Sequence, residues 1–116
     1  MPLVGRRMVG MTRQSRLLPD SMWNALPALY SQEEEGLKAL AQVKFFSIQS
    51  NWTWYASEFD GEDVFFGLVI GFEVELGYFS LSELESVGIL IERDEHFEPK
   101  SLHDLREHYA KEGWAL

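Results

Sequence analysis

Apolar residues recur along this chain at two spacings, and the change from one to the other marks out the elements. After Leu17-Leu18-Pro19-Asp20-Ser21, which supplies a turn and a helix start, Met22, Trp23, Leu26 and Leu29 fall at helical intervals. They predict a first helix from about Pro19 to Ala25. Pro27 has no N–H to donate and pushes Leu26 toward extended geometry, so the helical pattern breaks there. Ser31-Gln32-Glu33-Glu34 matches a capping box, with Ser31 as cap and Glu34 at the third helical position. A short acidic helix running through Ala41 is expected, its carboxylates at the end that its dipole favours.

From Gln42 the period switches to two. Val43, Phe45 and Ser47 alternate with Lys44, Phe46 and Ile48, and Gln49-Ser50-Asn51 then turns the chain. Trp52, Trp54 and Ala56 alternate with Thr53, Tyr55 and Ser57 on the next strand, which ends in a turn built on Asp60-Gly61-Glu62-Asp63. Val64 to Ile70 reads as a buried strand, and Gly71 breaks it. Beyond, Phe72, Val74, Leu76 and Tyr78 share one face while Glu73, Glu75 and Gly77 share the other, which should be wet. Ser80 and Glu83 form a second capping box, opening a short helix that ends near Gly88. Ile89 to Ile91 resumes as a brief strand, Glu92 to Glu98 is a charged connection, and a last helix covers Leu102 to Lys111 until Gly113 stops it. The expected fold class is α+β: a mainly antiparallel sheet of four to five strands with short helices near both termini.

Charge sharpens this picture. Residues 1–19 carry Arg6, Arg7, Arg13 and Arg16 without an acid, so against a total of -9 the rest of the chain holds -13. Residues 1–16 show no sustained period and read as a basic, flexible extension. Residues 17–116 form a single acidic α+β domain, long enough at 46% hydrophobic composition to bury roughly two-thirds of its unfolded surface around one core. Its field disfavours direct nucleic-acid binding by the body and steers toward a basic protein surface. With no cysteine, disulfides, zinc ribbons and thiolate chemistry are excluded. No apolar run approaches the roughly 18 residues of a membrane span, and the N-terminus lacks a signal-peptide pattern, so a cytoplasmic location without membrane contact is expected.

Several segments resemble a known family. They are Trp52-Thr53-Trp54-Tyr55-Ala56-Ser57-Glu58-Phe59-Asp60, Phe65-Phe66-Gly67-Leu68-Val69, Glu75-Leu76-Gly77-Tyr78-Phe79-Ser80-Leu81, and Glu92-Arg93-Asp94 with His96-Phe97. Together they are similar to the bacterial domain-of-unknown-function family 2958, over roughly Leu17 to Tyr109. The resemblance implies a small protein of the kind carried by plasmids and other mobile elements, and it supplies no catalytic residues.

Candidate chemistry is sparse. Glu92, Asp94 and His96 alternate, so in an extended segment all three point one way and offer oxygen and imidazole ligands to a divalent metal. Solvated loop, with Arg93 or Lys100 pairing the acids, is the plainer reading of the same residues. His103, Glu107 and His108 match neither zinc-protease motif, and no serine lies in a nucleophile elbow. No catalytic residue is assigned.

Two functions of different classes follow. The first is a small non-enzymatic binding protein that engages a basic partner, a candidate mimic of the nucleic-acid backbone that inhibits a host defence or nucleic-acid-processing protein. Its contact residues are expected to be Glu73, Glu75, Trp52, Trp54, Tyr55, Glu58 and Asp60, and it needs no cofactor. Aromatics enrich interface hot spots, whereas base-stacking platforms sit in positive grooves. The second is a small metal-dependent enzyme using Glu92, Asp94 and His96. Either fits a monomer or small homo-oligomer.

Overall fold

Thr53–Phe59 and Val64–Ile70 are buried or half-buried at every position, as strands are where both sheet faces are covered. They lie at the centre of the molecule. The computed structural model describes residues 15–86 and 90–115. In chain order these form α1 (Asp20–Trp23), a 3-10 segment (Glu33–Lys38), β1 (Leu40–Ala41), β2 (Val43–Ser47), β3 (Thr53–Phe59), β4 (Val64–Ile70) and β5 (Val74–Ser80). There follow α2 (Leu81–Ser86), β6 (Ile91–Arg93), β7 (Lys100–Ser101) and α3 (Leu102–Lys111). Five strands pair antiparallel in the order β5-β4-β3-β2-β6, while β1 and β7 form a separate two-stranded ladder. The α+β class and the five-stranded sheet are as expected.

The expectation of one core gives way to two, one on each sheet face. On the first face Leu17, Leu18, Trp23 and Leu26 from the N-terminal segment, with Leu81 and Leu84 of α2, cover Val43, Phe45, Phe59, Phe65 and Phe79. Phe65 is stacked between Phe59 and Phe79, at 4.5 and 5.3 Å between ring centroids. On the second face Ala39, Ala41, Leu102 and Leu105 cover Tyr55, Leu68, Ile70 and Val74.

Local signals succeed where capping groups are present. Ser80 Oγ accepts from the Glu83 N–H at 3.0 Å while Glu83 accepts from the Ser80 N–H at 3.3 Å, the reciprocal box that starts α2. Ser101 Oγ accepts from Asp104 N–H, and α3 has the bounds expected, followed by Gly113 at φ 93°. The first helix is shorter than expected, a single turn without a side-chain cap. The acidic helix is corrected more deeply. Ser31 donates its hydroxyl to Ala28 O instead of capping, Gly36 at φ 55° breaks the segment, and the chain is extended by Leu40 to pair with Ser101. Glu92 and Arg93 belong to strand β6, opposite Phe46 and Phe45, not to a connection. The expected end of α2 and start of that strand fall on residues 87–89, outside the described residues, as does most of the basic extension. Ser15 and Arg16 are tied to the body: Ser15 bonds Glu85, and Arg16 donates to Ile91 O at 2.9 Å and reaches Glu92 at 3.3 Å. Among the described residues no helix is long and apolar enough to cross a membrane.

Candidate functional site

A lone glycine in a strand marks a bulge or a close backbone approach, and Gly67 in the middle of β4 marks both. A Cβ at this position would lie 1.8 Å from the Tyr55 carbonyl oxygen. With that approach, Ala56 pairs Gly67 but the next pair is Glu58 with Phe66, leaving Ser57 as the extra residue of a bulge in β3. One inserted residue resets the alternation, so Phe59 joins the first core and the Glu58 side chain falls on the second face. Ser57 and Glu58 are both buried, at 1% and 4% exposure.

Glu58 is therefore no surface carboxylate. Its Oε1 accepts from Tyr30 N–H at 2.9 Å and its Oε2 from Gln32 N–H at 2.8 Å, so it holds the entry to the 3-10 segment from across the fold. Tyr30 has φ 70°, a left-handed conformation that costs an aromatic residue on the order of 1–2 kcal/mol. The two N–H bonds to a charged acceptor hold that strain in place.

Beside this carboxylate lies a cavity of about 270 Å³ between the 3-10 segment and the second sheet face. Its apolar wall is Leu37, Ala39, Phe66, Leu76 and Leu102, and its polar groups are Tyr30, Gln32, Glu33, Ser57, Glu58 and Tyr78. Ser57 Oγ is buried and, among the described residues, has no hydrogen-bond partner. Tyr30 and Tyr78 stand at the mouth with ring centroids 6.5 Å apart, and Phe66 packs 5.0 Å from Tyr78. The Tyr78 phenol is pushed above its ordinary value, first by partial loss of solvation, then by the neighbouring Tyr30 hydroxyl and by the Glu33 and Glu58 carboxylates. Glu33 and Glu58 give the cavity two carboxylates.

The other expected contact residues scatter. Tyr55 is buried at 3% exposure, its hydroxyl 2.7 Å from that of Tyr109 and its ring beside Phe97, so it offers no contact surface. Burial, then the Tyr109 bond, push its phenol far above the ordinary tyrosine value. Trp52 and Trp54 are half-buried on the other face, stacked obliquely on each other, and Phe72, 89% exposed, leans edge-on against Trp52. Asp60 is exposed but its Oδ1 accepts from three N–H groups of its own turn, those of Glu62, Asp63 and Val64. Glu73 and Glu75 are both exposed, although Glu73 sits in the β4–β5 turn and only Glu75 lies on the strand.

The metal trio is not gathered. Glu92 faces Arg16, while Asp94 lies 3.8 Å from Lys44 Nζ and accepts from the His96 N–H. Among the described residues no three His, Cys, Asp or Glu side chains converge on a position able to hold an ion. On α3, His103 pairs with Asp104 and His108 with Glu112, at the surface.

Sequence reasoning missed Ser57, Tyr30 and Glu33 as cavity residues. The signal that could have found the bulge is Gly67, isolated within an otherwise strong strand pattern.

The chain matches no curated protein and no solved structure. A family model matches residues 17–112, leaving the basic residues before Leu17 outside it. The chain belongs to this family, described as a protein of unknown function, DUF2958.

Proposed function

We propose that this protein is a small acidic binding protein that engages a basic surface of a partner protein. The observation that carries the reading is the edge of the sheet at β5. Tyr30, Phe72, Leu76 and Tyr78 account for four of the six large apolar side chains exposed among the described residues. All four lie on β5, in the turn before it, or against it. Glu33 lines the same cavity as Tyr30 and Tyr78, and exposed Glu73 and Glu75 neighbour Phe72 and Leu76 along the chain. Apolar anchors with a charged rim are the anatomy of a protein contact, and a carboxylate rim on a chain of net charge -9 selects cations. Glu73 and Glu75 remain the contact carboxylates of this reading. Phe72 and Leu76 join them, Tyr55 leaves for want of access, and Glu58 is no part of this surface row because it lines the cavity beneath it.

The test starts from a partner captured from the host and then purified. Its affinity for the full chain should fall as salt rises, and should fall several-fold further in the Glu73→Gln, Glu75→Gln double variant, whose changes lie in solvent and leave the fold intact. Affinity indifferent to both salt and the double variant rejects the reading.

A further inference from the structure

The cavity beneath Tyr30 and Tyr78 has the construction of a receptor for a single cationic side chain. Pockets that take whole small molecules run about 300–1,000 Å³; this one, at about 270 Å³, is smaller. From mouth to floor its chemistry is graded. Two exposed phenol rings form the mouth, a carboxylate stands beside them at Glu33, an apolar sleeve of Leu37, Phe66, Leu76 and Leu102 follows, and buried Ser57 and Glu58 form the floor.

That grading matches an alkyl stem ending in a charge. An ionised carboxylate offers about four acceptor positions. Tyr30 and Gln32 occupy two on Glu58, one on each oxygen, and two remain. With the unpartnered Ser57 hydroxyl they make three acceptors, the number of N–H groups on a primary ammonium. An orphaned buried hydroxyl costs on the order of 1–3 kcal/mol, a cost that an ammonium donor in the cavity removes. The aromatic mouth adds cation–π attraction along the route in.

We propose that this cavity binds the ammonium group of a lysine side chain presented by the basic partner, with the lysine stem in the apolar sleeve and the ammonium on Glu58 and Ser57. The assignment rests on the binding reading above and names the group that the partner contributes.

The experiment is an NMR titration of the full chain with Ac-Gly-Lys-Gly-NH₂, and with the same tripeptide carrying norleucine or arginine in place of lysine. The lysine peptide should shift the signals of Ser57, Glu58, Phe66 and Leu76, while the norleucine peptide leaves them in place. Ser57→Ala should weaken the lysine peptide about tenfold, the loss of one hydrogen bond to a charged group, while leaving thermal stability equal or higher. That split separates a binding role from a structural one. Four results would each overturn the assignment: no shift at the cavity, equal binding of the norleucine peptide, tighter binding of the arginine peptide, or an unchanged lysine affinity in Ser57→Ala. Pentylamine serves as a further probe, and its binding with exclusion of the peptide reassigns the site to free amines and also overturns the proposal. Salt-dependent partner binding that survives any of these failures leaves the acidic-edge reading standing, so the two fail separately.

Discussion

At the residue scale the decisive position is Gly67. Its missing Cβ lets the Tyr55 carbonyl approach, the approach permits the bulge, and the bulge turns Glu58 inward to the backbone of Tyr30 and Gln32. Gly67→Ala should therefore cost more than about 3 kcal/mol, because the clash is with backbone and cannot be relieved by a rotamer change. At Gly77, its partner across the ladder, a Cβ would point into open space with no described atom within 4 Å, and Gly77→Ala should cost less than about 1 kcal/mol. Urea unfolding of the two variants checks the contrast, and equal losses would mean that close approach at Gly67 is not what holds the bulge. The pattern at Ser57 and Glu58 is open to misreading for the same reason: strict alternation assigns them opposite faces, and only the opposing glycine hints that the alternation slips.

At the scale of elements, the two helices capped by side chains were legible, the uncapped α1 only in part, and the 3-10 segment was not. Both Ser80-Leu81-Ser82-Glu83 and Ser101-Leu102-His103-Asp104 close their first turn with side-chain bonds, so local chemistry and final structure agree. Ser31-Gln32-Glu33-Glu34 has the same appearance, yet the N–H groups of Gln32 and Tyr30 are served by Glu58 from 26 and 28 residues away. A capping motif predicts a helix only where nothing stronger competes for the same segment. Removing the cap at α3 with Ser101→Ala should lower stability by about 1 kcal/mol. Ser31→Ala, which removes no cap, should change it by less than about 0.5 kcal/mol. Thermal midpoints under identical conditions distinguish the two, and a larger loss at Ser31 would contradict the capping assignment.

For the whole molecule, what matters is that the sheet is covered on both faces. Tyr55 lies in the second core, where the Tyr55–Tyr109 hydroxyl pair sits among Phe97 and the rings of α3. Its phenol is held above the ordinary value of 10.0, so an unfolded chain releases that proton near pH 10 while the folded one retains it. Above pH 10 the unfolded state binds fewer protons, and stability falls as pH rises; below pH 10 the contribution is fully present. Urea midpoints from about pH 8 to about pH 11.5 should decline more steeply in the wild type than in Tyr55→Phe, and parallel slopes would remove Tyr55 as the cause. Periodicity and capping chemistry alone determined strands β2 to β5, the helices α2 and α3 and the Asp60 turn. They could do so because each depends on residues within one or two turns of each other. Which carboxylates face solvent, where the sheet slips by one residue, and the existence of a cavity floored by Ser57 and Glu58 were decided only by tertiary structure. Those features depend on contacts between segments far apart in the chain, and a one-residue change of register reverses every side chain beyond it.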